Sequence, residues 1–193
     1  MTTQQTQNPH LQRIHGELRA LIADVRDSFA GLSPEQFNWK PEPKKWSIAE
    51  CMQHLLLAYG RYRPQLVKKI KDIPLPAQTF PAYRSTYMGR IFMGFVNPDK
   101  FRKTPAPPMF KPTKGSSYPL SFQKEYLNYL EELCAYIQKA DHYNLNQVKI
   151  NSSLGWIIRF NLGDYFEIES MHNRRHVGQM KRVMQKEHFP KST

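Results

Sequence analysis

The chain has 193 residues, of which 40% are hydrophobic, 12% aromatic and 23% charged. This apolar content is too high for a disordered chain, and no apolar run reaches the roughly 18 residues that predict a membrane-spanning helix. Lys and Arg number 28 against 16 Asp and Glu, so the formal charge is +12. This charge is compatible with nucleic acid, an anionic membrane surface or an anionic small molecule as partner, or with a solvated surface that serves only solubility.

The first half of the chain predicts two long helices. Apolar residues recur at spacings of three and four over residues 9–30, which predicts the first helix. The segment 33–36 then has the pattern of a short capped turn of helix. Ser47 and Glu50 form a capping-box pattern, and the apolar residues after them keep the helical period. The second long helix is therefore predicted from residue 47 to about residue 71.

Residues 72–119 differ from the rest of the chain because they contain nine of its fifteen prolines. Only residues 85–96 have the pattern of a short helix. A connection of this length is usually functional or disordered, and its eight aromatic residues favour a segment that packs as a cover.

The last part of the chain predicts two further long helices, over residues 121–140 and from about 163 to 186. Residues 145–160, between them, are ambiguous, and we expect an irregular segment or a short helix there. The predicted fold class is all-α: a four-helix bundle with a long proline-rich connection between its second and third long helices, forming a single domain over residues 1–193.

Three histidines are candidate metal ligands. His172 and His176 are four residues apart on the last helix, so their imidazoles share one face and can bind the same ion. That face is apolar, and two buried histidines satisfied by other protein groups would give the same pattern. His54 lies at the edge of the apolar face of the second helix. If it meets the other two, the three imidazoles form the open coordination set of a catalytic metal site.

Two polar residues on the last helix are candidates for supporting roles. Glu169 precedes His172 by one turn, and it could accept a hydrogen bond from a ligand N–H or act as a base. The pair also fits a carboxylate-bridged di-iron site, but such sites need further inward glutamates, and the capping box already explains Glu50 on the second helix. Gln179 lies one turn beyond His176 and is a candidate polar residue of the pocket.

The ordered motifs of the chain resemble those of a known family. They are Leu32-Ser33-Pro34-Glu35-Gln36, Asn38-Trp39-Lys40-Pro41, Trp46-Ser47-Ile48-Ala49-Glu50 leading to His54-Leu55, Thr104-Pro105-Ala106-Pro107 with Phe110 and Pro112, and finally His172, Arg174-Arg175-His176 and Gln179. Taken together, the set resembles the DinB/YfiT-like metalloenzymes of the DinB superfamily. The resemblance implies a four-helix bundle and a divalent metal ion, zinc or nickel first among the candidates, held by His54, His172 and His176.

The resemblance implies less about the reaction. Characterised relatives include metal-dependent transferases and isomerases that use low-molecular-weight thiols, and many members have no assigned activity. The expected function is therefore that of a metal-dependent enzyme, S-transferase-like or hydrolase-like, whose metal activates a thiol or water for attack on a small-molecule substrate. A non-catalytic metal-binding protein and a basic nucleic-acid-binding protein remain the alternatives.

The position of the positive charge favours a small-molecule partner. Residues 61–114 contain twelve basic and two acidic residues, whereas the remainder of the chain has a net charge of only +2. This segment is the end of the second helix and the proline-rich cover, so its charge could attract an anionic substrate or an acidic thiol. No helix-turn-helix or basic helix is visible. With two cysteines and no export signal, we expect a cytoplasmic protein with no membrane partner, and a homodimer stays open.

Overall fold

The computed structural model describes residues 7–71, 80–100, 105–155 and 157–191, and over these ranges it is mostly helical. The α-helices are α1 (Pro9–Phe29), α2 (Pro34–Asn38), α3 (Ile48–Lys69), α4 (Tyr87–Val96), α5 (Ser121–Ala140) and α6 (Leu162–Met184). A single 3-10 turn covers Pro108–Phe110, and strands β1 (Lys149–Asn151) and β2 (Arg159–Asn161) pair in an antiparallel sheet. The four long predicted helices are thus present, with ends within about two residues of the expected positions.

The helices begin where side chains can satisfy their first backbone N–H groups. The Ser47 hydroxyl accepts from the N–H of Glu50, and the Glu50 carboxylate accepts from the N–H of Ser47, so the predicted capping box of α3 is confirmed. Asn161 and Asp164 form the equivalent box at the start of α6. These caps fix where α3 and α6 begin, and therefore which of their residues face inward.

The core lies between the four long helices. Helix α1 packs against α5 and α6, and α3 packs against the same two helices. Their apolar faces meet in a single cluster of buried side chains that includes Leu18, Met52, Leu130 and Phe166. Since α3 and α6 are in contact, residues on their facing sides can form a common site.

Strands β1 and β2 show that the expectation for residues 145–160 was wrong. We expected an irregular segment or a short helix, whereas the structure has a hairpin in which Ile150 pairs with Phe160. Both of these side chains are buried, and Lys149 and Asn151 on either side of Ile150 are exposed. Residues 149–151 therefore alternate between exposed and buried as a half-buried strand does, and an all-α description omits this small sheet.

The proline-rich connection crosses α6, as far as its residues are described. Helix α4 packs against α6 and β2, and the 3-10 turn packs against α3. The parts of the expected cover at 72–79 and 101–104 lie outside the described residues. Within the described ranges, every helix is too short or too polar to cross a lipid bilayer.

Candidate metal centre

The three predicted ligands converge at the interface of α3 and α6. One nitrogen from each of His54, His172 and His176 can be chosen so that all three atoms lie within 4.8 Å of one another. The ring centroids are 5.0 Å apart for His54 and His172, 4.7 Å for His54 and His176, and 4.8 Å for the α6 pair. The sequence-based interpretation required that α3 and α6 bring these three side chains together, and in the structure they do.

His54 is oriented by the proline-rich connection. Its Nδ1 lies 2.8 Å from the carbonyl oxygen of Phe110, so the Nδ1–H donates to that oxygen and Nε2 is left to point toward the other histidines. The Nε2 atoms of His54 and His172 are 3.1 Å apart. Two nitrogens bound about 2.0–2.1 Å from one tetrahedral ion would be roughly 3.3 Å apart, so this separation fits a shared ion.

Trp46 packs against two of the three imidazoles. Its ring centroid lies 4.9 Å from that of His54 and 6.0 Å from that of His176, to which it is nearly parallel. Trp46 directly precedes the capping box of α3, so the cap that fixes the helix also positions this ring. The indole therefore restricts the rotation of two candidate ligands and shields them from water.

The environment keeps the three imidazoles neutral. Burial, with smaller contributions from His54 and Arg175, lowers the pKa of His172 to about 3. Burial and the neighbouring imidazoles lower the pKa of His176 well below its ordinary value. Burial also lowers the pKa of His54, against the opposing effect of the Phe110 carbonyl. A metal ligand must offer a lone pair, so neutral imidazoles at neutral pH meet the first requirement of the site.

One buried nitrogen supports the fit to a metal ion. Nδ1 of His176 is inaccessible to water and has no hydrogen-bond partner among the described residues. An unpaired buried polar atom costs free energy. Among the described residues the other such side-chain atoms are the hydroxyls of Tyr59, Ser153 and Tyr165, so His176 Nδ1 is the one unpaired buried nitrogen. Three neutral imidazoles suit zinc, nickel, cobalt or iron, so the residues present fit a divalent transition-metal ion.

Glu169 lies in the wall of the same cavity, one turn before His172 on α6. Its Oε2 accepts a hydrogen bond of 2.6 Å from the Tyr129 hydroxyl, and burial raises its pKa to about 7 even though that hydrogen bond lowers it. Its role as a base or as an acceptor for a ligand stays a prediction. The di-iron alternative gains no support from Glu50, which caps α3 and pairs with Lys40 at 2.8 Å.

Gln179 also lines the cavity, where its side chain lies close enough to His176 to raise the pKa of that imidazole. Sequence reasoning missed the polar network beside it. The Tyr126 hydroxyl donates to Asn173 Oδ1 at 3.0 Å, and Asn173 Nδ2 donates to the Tyr129 hydroxyl at 2.5 Å. Asn173 is fully buried, and it lies between His172 and His176 in the sequence of α6. The sequence signal that could have revealed the network was the presence of polar groups on the apolar faces of α5 and α6.

The three histidines border a cavity of about 1100 Å³. Its deepest walls include Tyr62, Phe160 and Tyr165, which are all buried, and its outer wall includes Phe92 and Phe95 of α4. The volume is slightly above the usual range of pockets that hold drug-sized molecules. A cluster of metal-ligating side chains in such a cavity is therefore accessible to a substrate of substantial size.

Comparison with known proteins places the chain in a family. No curated protein and no solved structure matches it. The family model described as the DinB superfamily matches residues 17–180, a range that contains all three histidines, Glu169 and Gln179. Since the match covers most of the sequence, the chain belongs to the DinB superfamily.

Proposed function

We propose that this protein is a metal-dependent enzyme in which His54, His172 and His176 hold one divalent ion, with zinc or nickel as the first candidates. The observation that carries the proposal is the convergence of three neutral imidazoles beside a large cavity, with one buried nitrogen left without a partner. Three protein ligands leave coordination positions for a substrate, as in catalytic sites, whereas structural sites are usually closed by a fourth ligand.

A divalent ion bound there would supply Lewis acidity and lower the pKa of a thiol or water, which would then act as the nucleophile. The protein's own residues prepare this chemistry. The Phe110 carbonyl fixes the tautomer of His54, and the Trp46 ring restricts His54 and His176. In the proposed mechanism the carboxylate of Glu169 accepts a proton from the nucleophile, and the amide of Gln179 orients a polar group of the substrate.

The proposal extends to the architecture. Since α1 and α3 each pack against both α5 and α6, we describe the arrangement as a four-helix bundle formed by one domain over residues 1–193. The proline-rich connection forms the outer wall of the cavity through Phe92, Phe95 and Phe110. In this interpretation the bundle holds the ligands rigidly, while the connection defines the substrate entrance.

The proposed partner is a small molecule, either an anionic compound or a low-molecular-weight thiol. The basic residues at the cavity mouth surround a concave, aromatic-walled space, which suits a small ligand better than a nucleic acid duplex or a membrane surface. Both cysteines are free and buried, which supports a reducing cytoplasm as the compartment. A homodimer is compatible with the proposal and is measured by light scattering.

Metal analysis tests the ligand assignment. The purified wild-type protein, after incubation with zinc or nickel and removal of excess ion, should retain about one equivalent per chain. His172→Ala should lose most of it, whereas the matched control His188→Ala, at an exposed position, should retain it. Failure of the wild type to take up metal, or equal retention by His172→Ala, would contradict the proposal.

Turnover assays separate an enzyme from a non-catalytic metal-binding protein. The metal-loaded protein is given a low-molecular-weight thiol with an electrophile, and separately a panel of esters and amides. We expect turnover in one of the two assays that is lost in His172→Ala. Stoichiometric metal without turnover in either assay would favour the non-catalytic alternative, and a strongly salt-dependent gel shift would favour a nucleic-acid partner instead.

A further inference from the structure

The cavity beside the histidines changes from apolar to cationic between its floor and its mouth. Tyr62, Phe160 and Tyr165 form the floor, and at most 9% of any of these side chains is exposed. Phe95 and Leu154 stand further out, at 44% and 41% exposure. The wall thus remains apolar from the histidines to the surface, which is unusual for a site that binds only small polar substrates.

The mouth of the cavity carries a ring of basic side chains, which we call the cationic rim. It consists of the exposed residues Lys44, Lys45, Lys100, Lys111, Arg182 and Lys186. The described cavity lining contains only two carboxylates, Glu42 at the mouth and the buried Glu169. The cationic rim therefore gives the entrance a strongly positive potential.

Four separate parts of the chain contribute to the cationic rim. They are the loop before α3, the loop after α4, the residue after the 3-10 turn and the C-terminal end of α6. On other faces, basic residues form ion pairs with acidic ones: Arg19 and Arg26 both reach Glu131, and Arg63 reaches Glu132. Charge from distant segments is thus gathered around one concave opening, which focuses the field on a ligand entering it.

We infer that the cavity binds an amphiphilic anion, in which a carboxylate or similar head group is held at the cationic rim and an acyl or aryl body extends along the apolar wall toward the three histidines. A short polar anion would leave the apolar wall in contact with water, and an uncharged hydrophobe would not use the cationic rim. The volume of about 1100 Å³ accommodates such a body. This anion would be the substrate class of the proposed enzyme. Its conversion rests on the proposed function, whereas its binding needs no metal.

Calorimetric titration with three probes tests both parts of the inference. The probes are decanoate, butyrate and decyltrimethylammonium, each below its critical micelle concentration, added to the metal-free and to the zinc-treated protein. Decanoate should bind at least about 10-fold more tightly than butyrate, because its longer chain buries more apolar surface. Decyltrimethylammonium has the same chain with the opposite charge, and it should bind at least about 10-fold more weakly than decanoate.

Variants assign the effect to the two parts of the cavity. Lys44→Glu with Lys45→Glu reverses two charges of the cationic rim and should weaken decanoate binding about 10-fold. The matched control, Lys68→Glu with Lys124→Glu, makes the same change at exposed positions outside the cavity lining and should alter it less than about 2-fold. Phe95→Ser, at an exposed position of the wall, should reduce the preference for decanoate over butyrate.

The outcomes separate this inference from the proposed function. Equal binding of decanoate and butyrate, equal binding of decanoate and decyltrimethylammonium, or equal effects of the rim and control pairs would each overturn the inference. Zinc uptake that depends on His172, together with no decanoate binding, would leave the metal site standing and reject the amphiphile. Decanoate binding with the expected preferences, but without zinc uptake, would support the amphiphile and reject the metal-dependent enzyme.

Discussion

Helix α6 carries two buried polar clusters that differ in how completely the protein satisfies them. Near its start, the Asp164 carboxylate accepts from the hydroxyls of Tyr83, Ser85 and Thr86 and from the N–H groups of Thr86 and Asn161. We call these residues the aspartate cluster. Two turns further on lies the histidine cluster of His54, His172 and His176, where Nδ1 of His176 has no partner in the described chain.

The difference indicates which cluster is structural and which is functional. In the aspartate cluster five donors reach one fully buried carboxylate, and three of the donating residues attach the proline-rich connection to α6. The histidine cluster instead brings three imidazoles together, and the unpaired Nδ1 of His176 in the described chain costs stability. A polar cluster whose groups are all hydrogen-bonded stabilises the fold. A cluster with an unpaired group can instead bind an ion or ligand that the chain itself does not supply.

The largest effect is expected from breaking the aspartate cluster. Asp164→Ala would leave five buried or half-buried donors without their acceptor, and it would remove one half of the capping box of α6, whose N-cap residue is Asn161. We expect the free energy of unfolding to fall by about 3–5 kcal/mol, measured by urea denaturation. Asp99→Ala, at an exposed position, should change it by less than about 0.5 kcal/mol. Equal losses in the two variants would show that the cluster does not hold the connection.

Glu169 lies between the two clusters and provides a test by pH. Its pKa in the folded protein is raised from 4.5 to about 7 by burial, so the folded state keeps a proton that the unfolded chain releases in this interval. The contribution of Glu169 to stability should therefore fall by about 3 kcal/mol as pH rises from 4.5 to 7, and then level off. The three histidines have lowered pKa values and contribute with the opposite sign, so the contribution of Glu169 is read from the difference between the wild type and a Glu169 variant. Glu169→Gln cannot titrate at this position, so the wild type should lose stability relative to Glu169→Gln over the same interval. Parallel pH profiles in metal-free buffer would refute the assignment.

Metal should stabilise the protein through the histidine cluster alone. Zinc at a free concentration 100 times its dissociation constant should raise the free energy of unfolding of the wild type by about 2.7 kcal/mol. His172→Ala should show almost none of this gain, although its stability without metal should be close to that of the wild type. In Asp99→Ala the gain should be unchanged. Thermal or urea denaturation with and without zinc measures each value, and an equal gain in His172→Ala would contradict the proposed ligands.

The sequence was informative wherever the signal was local. The capping pattern of Ser47 and Glu50 and the four-residue spacing of His172 and His176 predicted where α3 begins and which faces carry ligands. Contacts between distant residues were not predictable in this way. Phe110 reaches His54 across 56 residues, and Thr86 reaches Asp164 across 78. Such partners are set by the path of the proline-rich connection, which has little periodicity from which its course could be inferred.

The smallest effect tests the packing of the aspartate cluster rather than its charge. A Cβ built at Gly89 of α4 overlaps the Asp164 carboxylate, whereas one at Gly94 of the same helix meets nothing within 4 Å. Gly89→Ala should therefore destabilise the protein by about 2 kcal/mol, because the carboxylate must move away from its donors. Gly94→Ala should stabilise it by about 0.5–1 kcal/mol, since alanine loses less backbone entropy in a helix. Urea denaturation measures the free energy of unfolding of both variants, which differ only in what the added methyl group contacts. Equal changes in the two variants would mean that the Asp164 carboxylate can move without losing its hydrogen bonds.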